Sequence, residues 1–126
     1  MKEIDYLPNE LRQMSICDNE IIVPYEVALE ILSYFHTLGY AALGYEILKV
    51  LPEETLEIRT FVSYFPDSII WEEFVDDAYG QVKSNLEKTY EELLFSDEGV
   101  NDLFILLTFV NRQEFETKYY EFVSAD

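Results

Sequence analysis

The residue types that most often act as catalytic bases, nucleophiles or metal ligands are scarce in this sequence. It has one histidine, His36, and one cysteine, Cys17. A histidine-rich metal site or a thiolate cluster needs more of these residues than the chain contains. His36 would also have to serve as the base of any serine triad, and none of the seven serines lies in a Gly-x-Ser-x-Gly turn. We therefore predict no catalytic residues, no metal site and no cofactor, and we expect a protein that is not an enzyme.

Two glycines have the spacing of a phosphate-binding loop without its chemistry. Gly39 and Gly44 are followed by Tyr45 and Glu46, where such a loop needs Lys and then Ser or Thr. The Glu46 carboxylate would repel a phosphate. We interpret Gly39 as the residue that ends a helix, and Gly44 as a strand glycine that allows a bulge or tight packing.

Carboxylates are the abundant chemical groups. The chain has 26 Asp and Glu against 8 Lys and Arg, a formal charge of −18 at pH 7. Direct binding to nucleic acid or to an anionic membrane is disfavoured, because both need clustered cations. Solubility of a small domain needs a net charge of only about 2 to 8 in magnitude, so the excess indicates a strongly basic protein partner. The predicted partner-binding residues are Glu53, Glu54, Glu57, Glu72, Glu73, Asp76 and Asp77.

Hydrophobic spacing predicts two helices that position these residues. Apolar residues recur at helical intervals between Val27 and Phe35, after Pro24 at the predicted first helical position. A second, longer helix is predicted further along the chain. Gly80 lies inside it, and we expect either a close approach of another backbone or a local break at this glycine. The apolar stripe of that helix is Trp71, Phe74, Val75, Ala78, Val82, Leu86, Tyr90 and Leu93.

Strands are predicted on either side of the second helix. Residues 41–50 and 56–64 flank a turn and indicate a β-hairpin, and the apolar run 103–110 indicates a central strand. The second hairpin strand alternates, so one of its faces should be buried. The residues expected on that face are Leu56, Ile58, Thr60, Val62 and Tyr64, with Phe61 as an exception to the alternation.

The two ends of the chain complete the predicted architecture. Residues 7–11 indicate a short helix with Pro8 at its first position, and Asn111 with Glu114 resembles the capping box of a last helix. That helix would present Phe115, Tyr119, Phe122 and Val123 at helical spacing. We predict a single α+β domain over residues 1–126. It has a small, mainly antiparallel sheet, made of the hairpin and a C-terminal strand, packed against three or four helices.

No targeting or membrane segment is visible in the sequence. The first residues, Met1 to Asp5, show no basic segment followed by an apolar one. The longest nearly apolar run, Leu103 to Val110, is far shorter than the roughly 20 residues needed to cross a bilayer. We expect a cytoplasmic protein.

Three segments occur in an order that is similar to a known family. They are residues 23–32 (VPYEVALEIL), residues 38–47 (LGYAALGYEI), and residues 71–75 (WEEFV) with Ala78 behind them. Over roughly residues 20–90, this succession resembles the immunity protein 40 family of bacterial polymorphic-toxin systems. The resemblance implies a cytosolic, non-enzymatic antidote that binds and blocks a cognate toxin, and Gly44 and Trp71 match recurring family positions.

Charge and resemblance suggest the same kind of partner. Many such toxins are nucleases, which are basic because of their substrate, so an acidic antidote can cover the nucleic-acid site. An acidic DNA-mimic inhibitor of a nucleic-acid-binding protein is one alternative. A generic interaction or scaffold domain is another, and an exposed edge strand at residues 103–110 would favour it. A small enzyme that uses carboxylates for acid–base catalysis is a third.

Overall fold

The computed structural model describes residues 3–64, 70–96 and 102–117. Residues 112–117 are helical, and Glu3–Tyr6 forms a 3-10 turn. The predicted α+β class is confirmed. The predicted helical positions Tyr119, Phe122 and Val123 lie outside the described residues. The other elements are α1 (Asn9–Arg12), β1 (Ile21–Val23), α2 (Tyr25–Thr37), β2 (Ala41–Val50), β3 (Thr55–Val62), α3 (Trp71–Leu94) and β4 (Leu103–Val110).

The four strands form one antiparallel sheet in the order β1-β4-β2-β3. The predicted hairpin is β2–β3, and the predicted central strand is β4. Strand β1, which the sequence analysis missed, pairs its three residues with Ile105 to Leu107 of β4. Because β4 lies between β1 and β2, it is not the exposed edge that would have favoured a scaffold role.

Helix α2 follows its predicted stripe closely. Its N-cap is Pro24, with an extended ψ of 160°, so the helix begins one residue later than predicted. Pro8 likewise caps α1 instead of opening it. Ala28, Ile31, Leu32 and Phe35 are buried. Gly39 has φ +80°, a left-handed conformation that ends the helix as expected.

Helix α3 is continuous over 24 residues, and Gly80 neither breaks it nor approaches another backbone. The prediction for Gly80 is therefore wrong: a Cβ at this position would meet no atom within 4 Å. Tyr90 also departs from the predicted buried stripe, since it is only partly buried and stacks on Tyr25. The fully buried part of the stripe is Phe74, Val75, Ala78, Val82, Leu86 and Leu93.

Two irregularities shape the hairpin. At Gly44, next to a register shift in the β2–β4 pairing, an added Cβ would lie 2.1 Å from the carbonyl oxygen of Phe61. Gly44 therefore allows the tight packing that was predicted. A second shift leaves Ile58 as an extra residue between Glu57 and Arg59.

This bulge overturns the predicted burial of β3, because an extra residue reverses the alternation. Ile58 and Phe61 are half-buried against the core and Ser63 is buried. The residues predicted to lie inward are mostly exposed: Leu56 by 40%, Val62 by 69% and Tyr64 by 72%, together with Thr60.

The helices α2 and α3 cover one face of the sheet. Directly paired residues share a face and successive residues alternate, so the inner face carries residues such as Val23, Tyr45, Ile47 and Ile105, all in the main core cluster. On the opposite face, Ala41 and Val110 at one end belong to the second core cluster, and the other paired residues belong to neither cluster. We call this opposite face the open face, and its residues include Ile22, Glu46, Thr60, Val62, Phe104 and Leu106.

Candidate protein-binding surface

The first predicted acidic cluster lies at the tip and outer strand of the hairpin. Glu53 and Glu54 are exposed in the turn between β2 and β3, where the Leu51 amide donates to the Glu54 carbonyl at 2.8 Å. Glu57 is exposed in β3, and its carboxylate accepts a hydrogen bond from the Thr60 hydroxyl. Glu57 pairs with Leu48, a position on the open face.

The second predicted cluster lies on the solvent side of the first turns of α3. Phe74, Val75 and Ala78 point into the second core cluster, together with Ala41, Val110 and Phe115. This packing leaves the intervening positions to solvent, where the positive end of the helix stabilises negative charge. The exposed acidic residues are Glu72, Glu73, Asp76 and Asp77.

Two carboxylates of this second cluster lie close to a nitrogen-bearing side chain of a neighbouring element. Asp76 Oδ1 lies 2.7 Å from His36 Nε2, and Glu72 Oε1 lies 3.6 Å from a guanidinium nitrogen of Arg112. Both carboxylate side chains are 74% exposed, so solvent screens these contacts and they add little to the stability of the fold. His36 also stacks on Tyr79 with ring centroids 4.4 Å apart. His36 thus links α2 to α3.

The structure brings together the members of each cluster and keeps the two clusters apart. The start of β2, at Ala41, packs beside Phe74 and Val75 of α3. The turn that bears Glu53 follows the far end of β2. A strand of ten residues spans about 30 Å, which is therefore the approximate separation along the sheet.

Stacked tyrosines occupy a position that the sequence could not reveal. The rings of Tyr25 in α2 and Tyr90 in α3 lie 3.8 Å apart and are parallel within 1°. Burial and then the negative charge of Glu87 raise the pKa of Tyr25, and burial followed by Glu26 raises the pKa of Tyr90. The pair holds the two helices together as neutral phenols within an acidic surface.

Another tyrosine belongs to the core instead of the surface. Tyr45 is 3% exposed, and its hydroxyl lies 2.5 Å from Asn85 Oδ1 and 3.1 Å from Thr89 Oγ1 of α3. Burial raises its pKa. Among the described tyrosines, Tyr6 and Tyr64 are the exposed ones and remain accessible to a partner.

Comparison of the chain with protein-family models, with curated proteins and with solved structures gives no match. Within the described ranges, no group of three or more His, Cys, Asp or Glu side chains is arranged to hold a metal ion. No helix in the described part of the chain is long and apolar enough to cross a membrane.

Proposed function

We propose that the protein is a cytoplasmic, non-enzymatic antidote that binds and neutralises a cognate bacterial toxin through its acidic surface. A basic nuclease is the candidate toxin. The observation that carries the proposal is the charge of −18, borne by a small domain with few cations to balance it. Opposite potentials accelerate the encounter of two proteins and disfavour wrong partners.

The distribution of ion pairs supports this proposal. Four salt bridges connect described residues, and all of them lie at the surface. None includes Glu53, Glu54, Glu57, Glu73 or Asp77. These five exposed carboxylates are therefore available to cations on a partner.

The family resemblance supports the proposal from the sequence alone. Two of its positions also have roles in the fold. Gly44 permits the close approach of β3, and Trp71 Nε1 donates to the Gly39 carbonyl at 3.2 Å while its ring contacts Phe74 and Phe115. Both residues thus organise the elements on which the acidic clusters lie.

Co-expression with the product of the gene immediately upstream tests the proposal. We expect a stoichiometric complex that protects the cell and weakens as salt concentration rises. Reversal of Glu53, Glu54 and Glu57 to Lys in one variant, and of Glu72, Glu73, Asp76 and Asp77 in another, tests each cluster separately. If neither variant changes toxin affinity or its salt dependence, the acidic clusters are not the contact surface.

A second assay separates an antidote from a DNA mimic. The purified protein is added to several unrelated DNA-binding proteins, and their DNA binding is measured. We expect no inhibition, because an antidote recognises one partner. Broad inhibition would contradict the proposal in favour of mimicry.

A further inference from the structure

The open face presents an apolar surface with one carboxylate at its centre. Register places Ile22, Leu106, Glu46 and Thr60 in one row across all four strands. Ile22, Leu106 and Phe104 are each partly exposed and lie outside both core clusters. Apolar side chains therefore surround Glu46 on the β4 side.

Glu46 has no ion pair with any described residue. The two basic residues of the sheet, Lys49 and Arg59, lie in rows that face the opposite side from Glu46. Lys49 pairs with Leu103, and Arg59 pairs with Ile47. Both of those partners belong to the inner face. The open face thus combines apolar surface and negative charge without a cation of its own in the described chain.

A shallow depression lies beside this carboxylate. Its volume is about 160 Å³, and its lining includes Gly44, Glu46, Thr60, Val62 and Thr108. An extended cationic side chain could lay its methylene groups against Val62 and bring its charged end to Glu46.

We infer that the open face is the docking surface for the basic partner, and that an Arg or Lys of this partner binds Glu46 among apolar contacts. The inference rests on the proposed function and identifies where binding occurs. The first acidic cluster, at the hairpin, adjoins this face through Glu57. The second acidic cluster, on α3, lies on the helical layer and attracts the partner at longer range.

Charge favours a basic partner over a second copy of the chain. Two open faces packed together would bring one Glu46 from each copy into a desolvated interface that has no cation. Like charges in such a position repel each other strongly. A partner rich in Lys and Arg gains from the same carboxylate.

The dimensions of the face fit part of a specific interface. The strands β1, β2, β3 and β4 have 3, 10, 8 and 8 residues, so at about 3.3 Å per residue and about 4.8 Å between strands the face covers about 460 Å². A standard interface buries about 800 Å² on each partner. The exposed turn at Glu53 and Glu54 lies at the end of the same hairpin and supplies adjoining surface.

The test measures affinity for the upstream gene product with the full chain and three variants. Glu46→Lys and Thr108→Arg alter the open face, and Glu30→Lys makes the same charge change on the exposed side of α2. Far-ultraviolet circular dichroism and thermal unfolding check that each variant is folded. We expect Glu46→Lys to weaken binding at least about 30-fold and Thr108→Arg to weaken it as well, whereas Glu30→Lys stays within about threefold.

The outcomes separate the two proposals. If the wild-type chain binds and both open-face variants bind equally well, the docking surface is wrong while the antidote function stands. If the wild-type chain does not bind the toxin, both proposals fail. Sedimentation of the chain alone gives a further check: a dimer that Thr108→Arg dissociates would assign the open face to a second copy.

Discussion

Replacing Gly80 by alanine should stabilise the protein. The position is exposed in the interior of α3, and an added Cβ has no atom within 4 Å. Alanine is favoured over glycine in a helix by about 1 kcal/mol, with no packing cost to subtract here. An unfolding entropy of about 2.1 cal/mol/K for each of 126 residues converts this gain into a Tm increase of about 4 °C.

Differential scanning calorimetry and urea unfolding measure this change, and Gly44→Ala is the matched control. At Gly44 the same methyl group would lie 2.1 Å from the Phe61 carbonyl oxygen, so the strands must separate. We expect a loss of about 3 kcal/mol in the free energy of unfolding. A lower Tm for Gly80→Ala would refute the reasoning, because it would mean that α3 is broken or crowded at this residue.

Three further changes test other parts of the structure. Asn111→Ala removes the side-chain oxygen that accepts a hydrogen bond of 2.7 Å from the Glu114 backbone amide. Urea unfolding should show a loss of about 1 kcal/mol in the free energy of unfolding. Ser63→Ala deletes a buried hydroxyl 3.0 Å from the Ala42 carbonyl, and the same measurement should show a loss of about 1 to 2 kcal/mol. Because burial raises the pKa of Tyr45 in the folded protein, the phenol of the unfolded chain loses its proton at a lower pH than the phenol of the folded chain. The contribution of this phenol to the free energy of unfolding is therefore complete below about pH 10 and falls as pH rises further. Urea midpoints measured on either side of pH 10 should decline for the wild type and decline less for Tyr45→Phe.

Most of the helical layer could be predicted because its residues follow a simple period. The stripes of α2 and α3 repeat every three or four residues over many turns, so one face of each helix is unambiguous. Gly39 and Asn111 are local signals whose effects need no tertiary contact. These features depend on neighbouring residues alone.

The sheet was harder to predict because its pattern depends on pairing. Strand β1 has three residues, too few to show an alternation. The bulge at Ile58 reverses the inward side of β3, and a bulge is set by the partner strand. The run from Leu103 to Val110 is apolar on both sides, so nothing in its pattern indicates that Phe104 and Leu106 remain partly exposed.

The sequence indicates which acidic residues are grouped along the chain, but it does not indicate where these groups lie in the fold. Grouped carboxylates are visible along the sequence, whereas their separation along β2 follows from the packing of Ala41 against α3. Glu46 lies outside these groups. Its importance depends on the register that places it between Thr60 and Leu106 on the open face.

The antidote function is tested most directly by titrating the purified protein into the product of the gene immediately upstream, at low and at high salt. We predict a one-to-one complex that abolishes toxicity and whose affinity falls as salt concentration rises, because acidic surface meets basic surface. The absence of a complex, or a complex whose affinity does not respond to salt, would contradict the proposed recognition of a basic toxin.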